Sequence, residues 1–173
     1  MVKKQTKNRA ILPPASDKRL YTLDVFILNG PMTERFVRKN RVISRTIQIR
    51  GGQTLEVLHN AIFSAFDRED NHMYEFQIGG KGPMDPKARR YMLHVCDDDK
   101  NPPAGDVERT TIGSLGLKVD DAFGYWFDFG DDWWHQINVV AIEETAGRGK
   151  FPKVVKRLGE SPPQYVDWDK EDE

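Results

Sequence analysis

The sequence predicts an α+β fold, a β-grasp-like mixed sheet of about six strands with one main helix packed across one face. Three observations predict it. Six segments have strand-type composition, most of them alternating apolar and polar residues, and turn residues separate them. A single segment carries a convincing apolar stripe at helical spacing. One amphipathic helix buries such a stripe best by lying across a sheet.

The first strand is expected over residues 20–28, where Tyr21, Leu23, Val25 and Ile27 share one face. Asn29-Gly30-Pro31 ends it, and residues 31–40 read as a polar connection. The second strand spans 42–50, with Ile43, Ile47 and Ile49 on one face and Arg45 intruding among them. After Gly51-Gly52, Thr54 has the hydroxyl of an N-cap for a helix over 55–66. Leu55, Leu58, Ile62, Phe63 and Phe66 form its stripe, with Glu56, Asn60 and Ser64 opposite. A third strand follows at 73–78 and a fourth at 90–96, then an acidic, Pro-rich loop over 97–106. Residues 111–117 read as a short helical turn, and 122–129 with 133–143 as a closing hairpin. Beyond Thr145, Gly, Pro and charge dominate, apart from a modest apolar patch at Phe151, Val154, Val155 and Leu158.

At 173 residues the chain fits one domain with a substantial core. The expected division is a flexible basic arm at 1–19, a single domain at 20–166 and an acidic tail at 167–173. The arm holds Lys3, Lys4, Lys7, Arg9, Lys18 and Arg19 against Asp17. A formal charge of −1 argues against bulk attraction to nucleic acid or anionic membrane. Cys96 is the one cysteine, so no intramolecular disulfide can form and a reducing, cytoplasmic setting is expected. No apolar run approaches the ~20 residues that span a bilayer, so no membrane partner is expected.

Candidate chemistry centres on four histidines and the run Phe127-Asp128-Phe129-Gly130-Asp131-Asp132-Trp133-Trp134-His135. His59 lies on the apolar stripe of the helix, where a core histidine with backbone partners competes with a ligand or acid–base role. His72 follows the helix end, whose dipole would favour its charged form. His94 and Cys96 share a strand face, but two ligands are not a zinc site. If Gly130-Asp131-Asp132 forms the hairpin loop, Asp128 and His135 flank its base on opposing strands. A carboxylate beside an imidazole can serve as general base or support a metal ligand, while acids at a turn also serve simply as amide acceptors. Trp133 and Trp134 should point to opposite faces, leaving one near the surface beside acids, as on a recognition surface. Asp128-Phe129-Gly130 lacks the companion motifs of a kinase, and the glycines at 79–82 lack those of a P-loop.

These residues resemble the plasmid pRiA4b ORF-3-like family. Thr54-Leu55-Glu56-Val57-Leu58-His59-Asn60-Ala61-Ile62 is similar to that family's Thr-Leu-x-x-Leu-His-x-x-Ile helix. Ala65-Phe66 and then His72-Met73-Tyr74-Glu75-Phe76 resemble its Ala-Phe and His-Leu-Tyr-x-Phe segments. Tyr125 through His135 resembles its Tyr-x-Tyr-Asp-Phe-Gly-Asp-x-Trp-x-His hairpin. The resemblance covers roughly residues 20–166 and implies company with plasmids or mobile elements rather than an activity. It places His59, His72, Asp128, Asp131 and His135 on family motif positions. The family's Cys-Pro-Pro-Glu-Asp element stands here as Ser161-Pro162-Pro163-Gln164-Tyr165, without the thiol or the acids.

The candidate binding residues are therefore His59, His72, Asp128, Asp131, Trp133 and His135. Three functions are in play: a binding or accessory module for a protein partner, a metal-dependent hydrolase built on the His/Asp cluster, and a nucleic-acid-binding accessory protein using the basic arm and the arginines of 35–45. The residues name no catalytic group, cofactor, metal or oligomeric state. The discriminating geometry is whether His59, His72 and His135 converge with Asp128 and Asp131.

Overall fold

The computed structural model describes residues 16–93 and 100–170. His94 and Cys96, and with them the end of the expected fourth strand, lie outside the described residues. The chain order is β1 (Leu20–Asn29), α1 (Glu34–Lys39), β2 (Ser44–Arg50), α2 (Leu55–Ala65), β3 (Tyr74–Ile78), β4 (Arg89–Met92), β5 (Gly105–Asp106), β6 (Ala122–Phe127), β7 (Trp133–Glu143) and β8 (Lys153–Leu158). A short 3-10 turn at Ile112–Leu115 precedes β6.

All eight strands join one sheet in the order β5-β4-β3-β6-β7-β1-β2-β8. Every pairing is antiparallel except β4 with β5. The α+β class and the one main helix, α2, agree with the sequence. The expected six strands become eight, and this strand order does not confirm a β-grasp. The additional strands are β5, of two residues, and β8, an edge strand whose residues are mostly exposed. Lys-Val-Val-Lys-Arg-Leu lacks a buried face, so alternation gave it no signal, and charge on an edge strand discourages further pairing. The connection at 31–40 also contains α1, capped by Thr33, whose hydroxyl accepts from the Phe36 amide.

The core lies between the sheet and α2. Tyr21, Leu23 and Val25 of β1 and Ile47 and Ile49 of β2 are fully buried on the helix side, as period-two alternation requires. The Thr54 hydroxyl accepts from the Val57 amide and starts α2, which buries Leu55, Leu58, His59, Ile62 and Ala65. The helix ends in a Schellman turn. Asp67 adopts φ 53°, its amide donates to Ser64 and the Arg68 amide donates to Phe63. Arg68, which closes that turn, is buried against Trp133. Among the described residues, no helix is long and apolar enough to cross a membrane.

Candidate functional site

The β6–β7 hairpin forms one wall of the site. Its register pairs Tyr125 with His135, Trp126 with Trp134 and Phe127 with Trp133, leaving residues 128–132 as the loop. Asp128 and Asp132 hold left-handed conformations at φ 58° and 55°, which aspartate tolerates better than most residues. The Asp128 Oδ1 accepts from the Gly130 and Asp131 amides at 3.1 and 3.2 Å, so one carboxylate oxygen shapes the turn. Asp128 therefore belongs to the loop and does not flank its base. The expected Asp128–His135 pair is replaced by another. Across the hairpin His135 faces Tyr125, while Asp128 meets His72, its Oδ2 lying 3.4 Å from His72 Nε2.

Strand alternation sorts the aromatics. Tyr125, Phe127, Trp133 and His135 point into the core and are buried. Trp126 and Trp134 point to the opposite face and are half-buried. Their rings stack at 4.8 Å and 7°, Phe129 adds a third ring 4.1 Å from Trp126, and the Trp126 indole donates to Asp132. Trp133 is thus a core residue, and Trp134 is the surface tryptophan of the pair.

Two of the histidines are core groups tied together by Tyr125. His59 stacks on Tyr74 at 3.6 Å, its Nε2 donates to Asn71 Oδ1 and its Nδ1 accepts from the Tyr125 hydroxyl at 2.7 Å. The Tyr125 carbonyl accepts from His135 Nδ1 at 3.3 Å. Burial pushes His59 down to about 4 and His135 to about 3, Arg68 adding to the latter, so both are neutral at pH 7. His72 stands apart at the surface. Among the described residues, no group of three or more His, Cys, Asp or Glu could hold a metal ion.

His72 instead belongs to a polar chain that sequence reasoning missed. Its Nε2–H points at the Tyr165 hydroxyl, 3.0 Å away, and Tyr165 donates to Asp70 Oδ2 at 2.9 Å. The Asp70 carboxylate, with smaller effects from Asp128 and Asp131, holds the Tyr165 phenol above its ordinary range. Gln164 fastens this segment. Its Oε1 accepts from the Glu69 and Asp70 amides at 2.7 and 3.0 Å, and its Nε2 donates to the Asp70 carbonyl at 2.7 Å. A cleft of about 400 Å³ lies alongside, bounded by Asp67, Glu69 and residues 161–165. The one sequence signal for Gln164 and Tyr165 was their place in the family element that departs here from its usual residues.

Arg68 was likewise unseen, because a lone arginine in a polar loop looks solvated. Its guanidinium lies over the Trp133 ring at 3.8 Å and is buried, yet neither terminal nitrogen has a hydrogen-bond partner among the described residues. Of the basic residues between 35 and 45, three are engaged within the protein, while Arg35 and Arg41 are exposed. Arg38 pairs with Glu34, Lys39 with Glu160, and Arg45 is buried among carbonyls.

The site thus offers acids, a half-exposed aromatic stack and one surface imidazole. In the C-terminal segment the hydroxyl beside His72 is that of Tyr165, which donates to Asp70, and the Ser161 hydroxyl is engaged by Arg45 and Asp67.

A family model described as plasmid pRiA4b ORF-3-like protein matches residues 36–168. The chain is similar to the uncharacterized protein y4hQ of Sinorhizobium fredii (strain NBRC 101917 / NGR234), at 25% identity over 136 residues. That alignment covers 72% of this chain and 59% of the length of y4hQ. The fold is similar to the crystal structure of a protein of unknown function, MM3350, from Methanosarcina mazei Go1. The TM-score is 0.62 at 21% identity, covering 83% of this chain and 71% of the other.

Proposed function

The chain belongs to the plasmid pRiA4b ORF-3-like family, and from that premise we propose that it is a protein-binding accessory module that recognises basic, apolar segments through its hairpin end. One observation carries this reading: the Trp126–Trp134 stack, extended by Phe129, sits half-exposed on the outer sheet face with Asp131 and Asp132 exposed beside it. Large rigid aromatics give contact area at low entropic cost, and the flanking carboxylates favour Lys or Arg on the partner. Those same acids repel phosphate, so the reading disfavours nucleic acid at this face. The tie to mobile elements rests on the family's plasmid name. A basic arm at 1–19, a domain at 20–166 and an acidic tail at 167–173 remain our working division.

Selection of displayed 12-residue peptides on the purified protein, followed by calorimetry of the enriched sequences, tests this. We expect Lys/Arg-rich peptides with apolar anchors, and binding that weakens as salt rises. Trp134→Ala should cost ~2 kcal/mol or more, roughly thirtyfold in affinity. Enrichment of acidic peptides, or equal binding by the variant, would refute the reading.

A further inference from the structure

A second cavity, which shares Pro163 and Tyr165 with the cleft beside Gln164, has the composition of a small-molecule site. It encloses about 310 Å³ between α1 and the C-terminal segment, near the small end of the range that ligand pockets occupy. Met32 and Phe36 form one wall, and Pro163, Tyr165 and Val166 the other. Two cations reach this cavity, Arg35 and Lys170. Lys170 is already neutralised by Asp167 at 2.8 Å, another lining residue. The charge left over is that of Arg35, whose planar fork matches a carboxylate with two parallel hydrogen bonds. Apolar walls with one guanidinium that has no ion pair among the described residues suit a ligand that is apolar at one end and anionic at the other.

We propose that this cavity binds a small apolar carboxylate, its hydrocarbon body between Phe36 and Val166 and its carboxylate on Arg35. The site is independent of the hairpin face, since neither Trp126 nor Trp134 lines it. Both walls have fixed supports. Thr33 caps α1, and Gln164 pins the opposite segment to the loop after α2. The cavity is therefore largely pre-formed, which lowers the ordering cost of binding.

The test is a calorimetric and amide-shift titration of the full chain with phenylacetate, phenylacetamide, acetate and a peptide ending in a free phenylalanine carboxylate. Phenylacetate should bind at least tenfold tighter than phenylacetamide or acetate, and shift amides at 32–36 and 164–170. Arg35→Glu should lower its affinity at least tenfold, with Arg35→Lys recovering part of the loss. Arg35 is exposed, so neither variant endangers folding. Phenylacetate no tighter than acetate, shifts confined to other residues, or an unaffected Arg35→Glu would overturn the proposal. Tighter binding of the peptide than of phenylacetate would overturn the small-molecule assignment and make the cavity a chain-terminus receptor.

Discussion

Arg45 and Arg68 are both buried, yet their surroundings are opposite. Arg45 donates to the carbonyls of Ala65, Ser44, Leu158 and Gly159 and to the Ser161 hydroxyl, and its guanidinium lies 4.8 Å from the Phe66 ring. It neutralises the carboxyl end of α2 while joining β2, β8 and the C-terminal segment. Arg68 rests on Trp133, neither terminal nitrogen has a partner among the described residues, and burial holds it down at about 10. A cation–π contact contributes roughly 0.5–2 kcal/mol. Removing a charge from water costs several, so at Arg68 desolvation outweighs the stacking. Replacing each by methionine separates the two cases. Arg45→Met should lose about 3–5 kcal/mol, because it strands several buried carbonyls. Arg68→Met should fall within about 1 kcal/mol of the parent or be more stable. Urea unfolding midpoints measure both, and equal losses would show that Arg68 has a partner as strong as those of Arg45. The sequence exposed only the first, because Arg45 breaks an isoleucine alternation whereas Arg68 sits among polar residues.

At the level of elements, strands and helices with a buried face were legible and those without one were not. β1, α2, β3 and the β6–β7 hairpin announce themselves by periodicity, and residues 20–28, 55–66 and 73–78 differ from the observed bounds by one residue at an end. α1 has no buried residue, and β8 is mostly exposed, so neither leaves a pattern. The segment at 161–165 is harder still, since it is held by hydrogen bonds instead of an apolar face. Gln164 makes three of them and is buried. Gln164→Ala would leave two amides and a carbonyl of the 69–70 loop without partners, at about 1–3 kcal/mol each if they stayed dry. Opening the segment to water is the cheaper response. We therefore expect local release, seen as faster hydrogen exchange at the Glu69 and Asp70 amides with only a small change in global unfolding. Unchanged exchange at those two amides would mean that Gln164 does not hold the segment.

For the whole molecule, the buried imidazoles set an acid limit. His59 of the helix and His135 of the hairpin both bond to Tyr125, one to its hydroxyl and the other to its carbonyl. In the unfolded chain both titrate near 6.5, while in the folded protein they are lowered to about 4 and about 3. Between those values the unfolded state binds protons that the folded state refuses, so stability falls as pH drops below about 6.5. Each group contributes on the order of 3 kcal/mol or more across that window, and a domain of ordinary stability has only ~5–15 kcal/mol in total. Unfolding midpoints should therefore be flat from pH 7 to 8 and drop steeply between pH 6 and 4. His135→Leu removes one of the two protonation sites at similar volume, so its profile should be shallower than that of the parent whatever its stability at pH 7. Carboxylates that lose partners lower down, such as Asp17 beneath Arg19, are held below the usual carboxylate range and act under pH 4. Glu160, held low by Lys39 and Asn40, begins to contribute nearer its ordinary value of 4.5, so the slope between pH 6 and 5 is the part that belongs to the histidines. Parallel profiles for the parent and His135→Leu would contradict a buried, neutral His135.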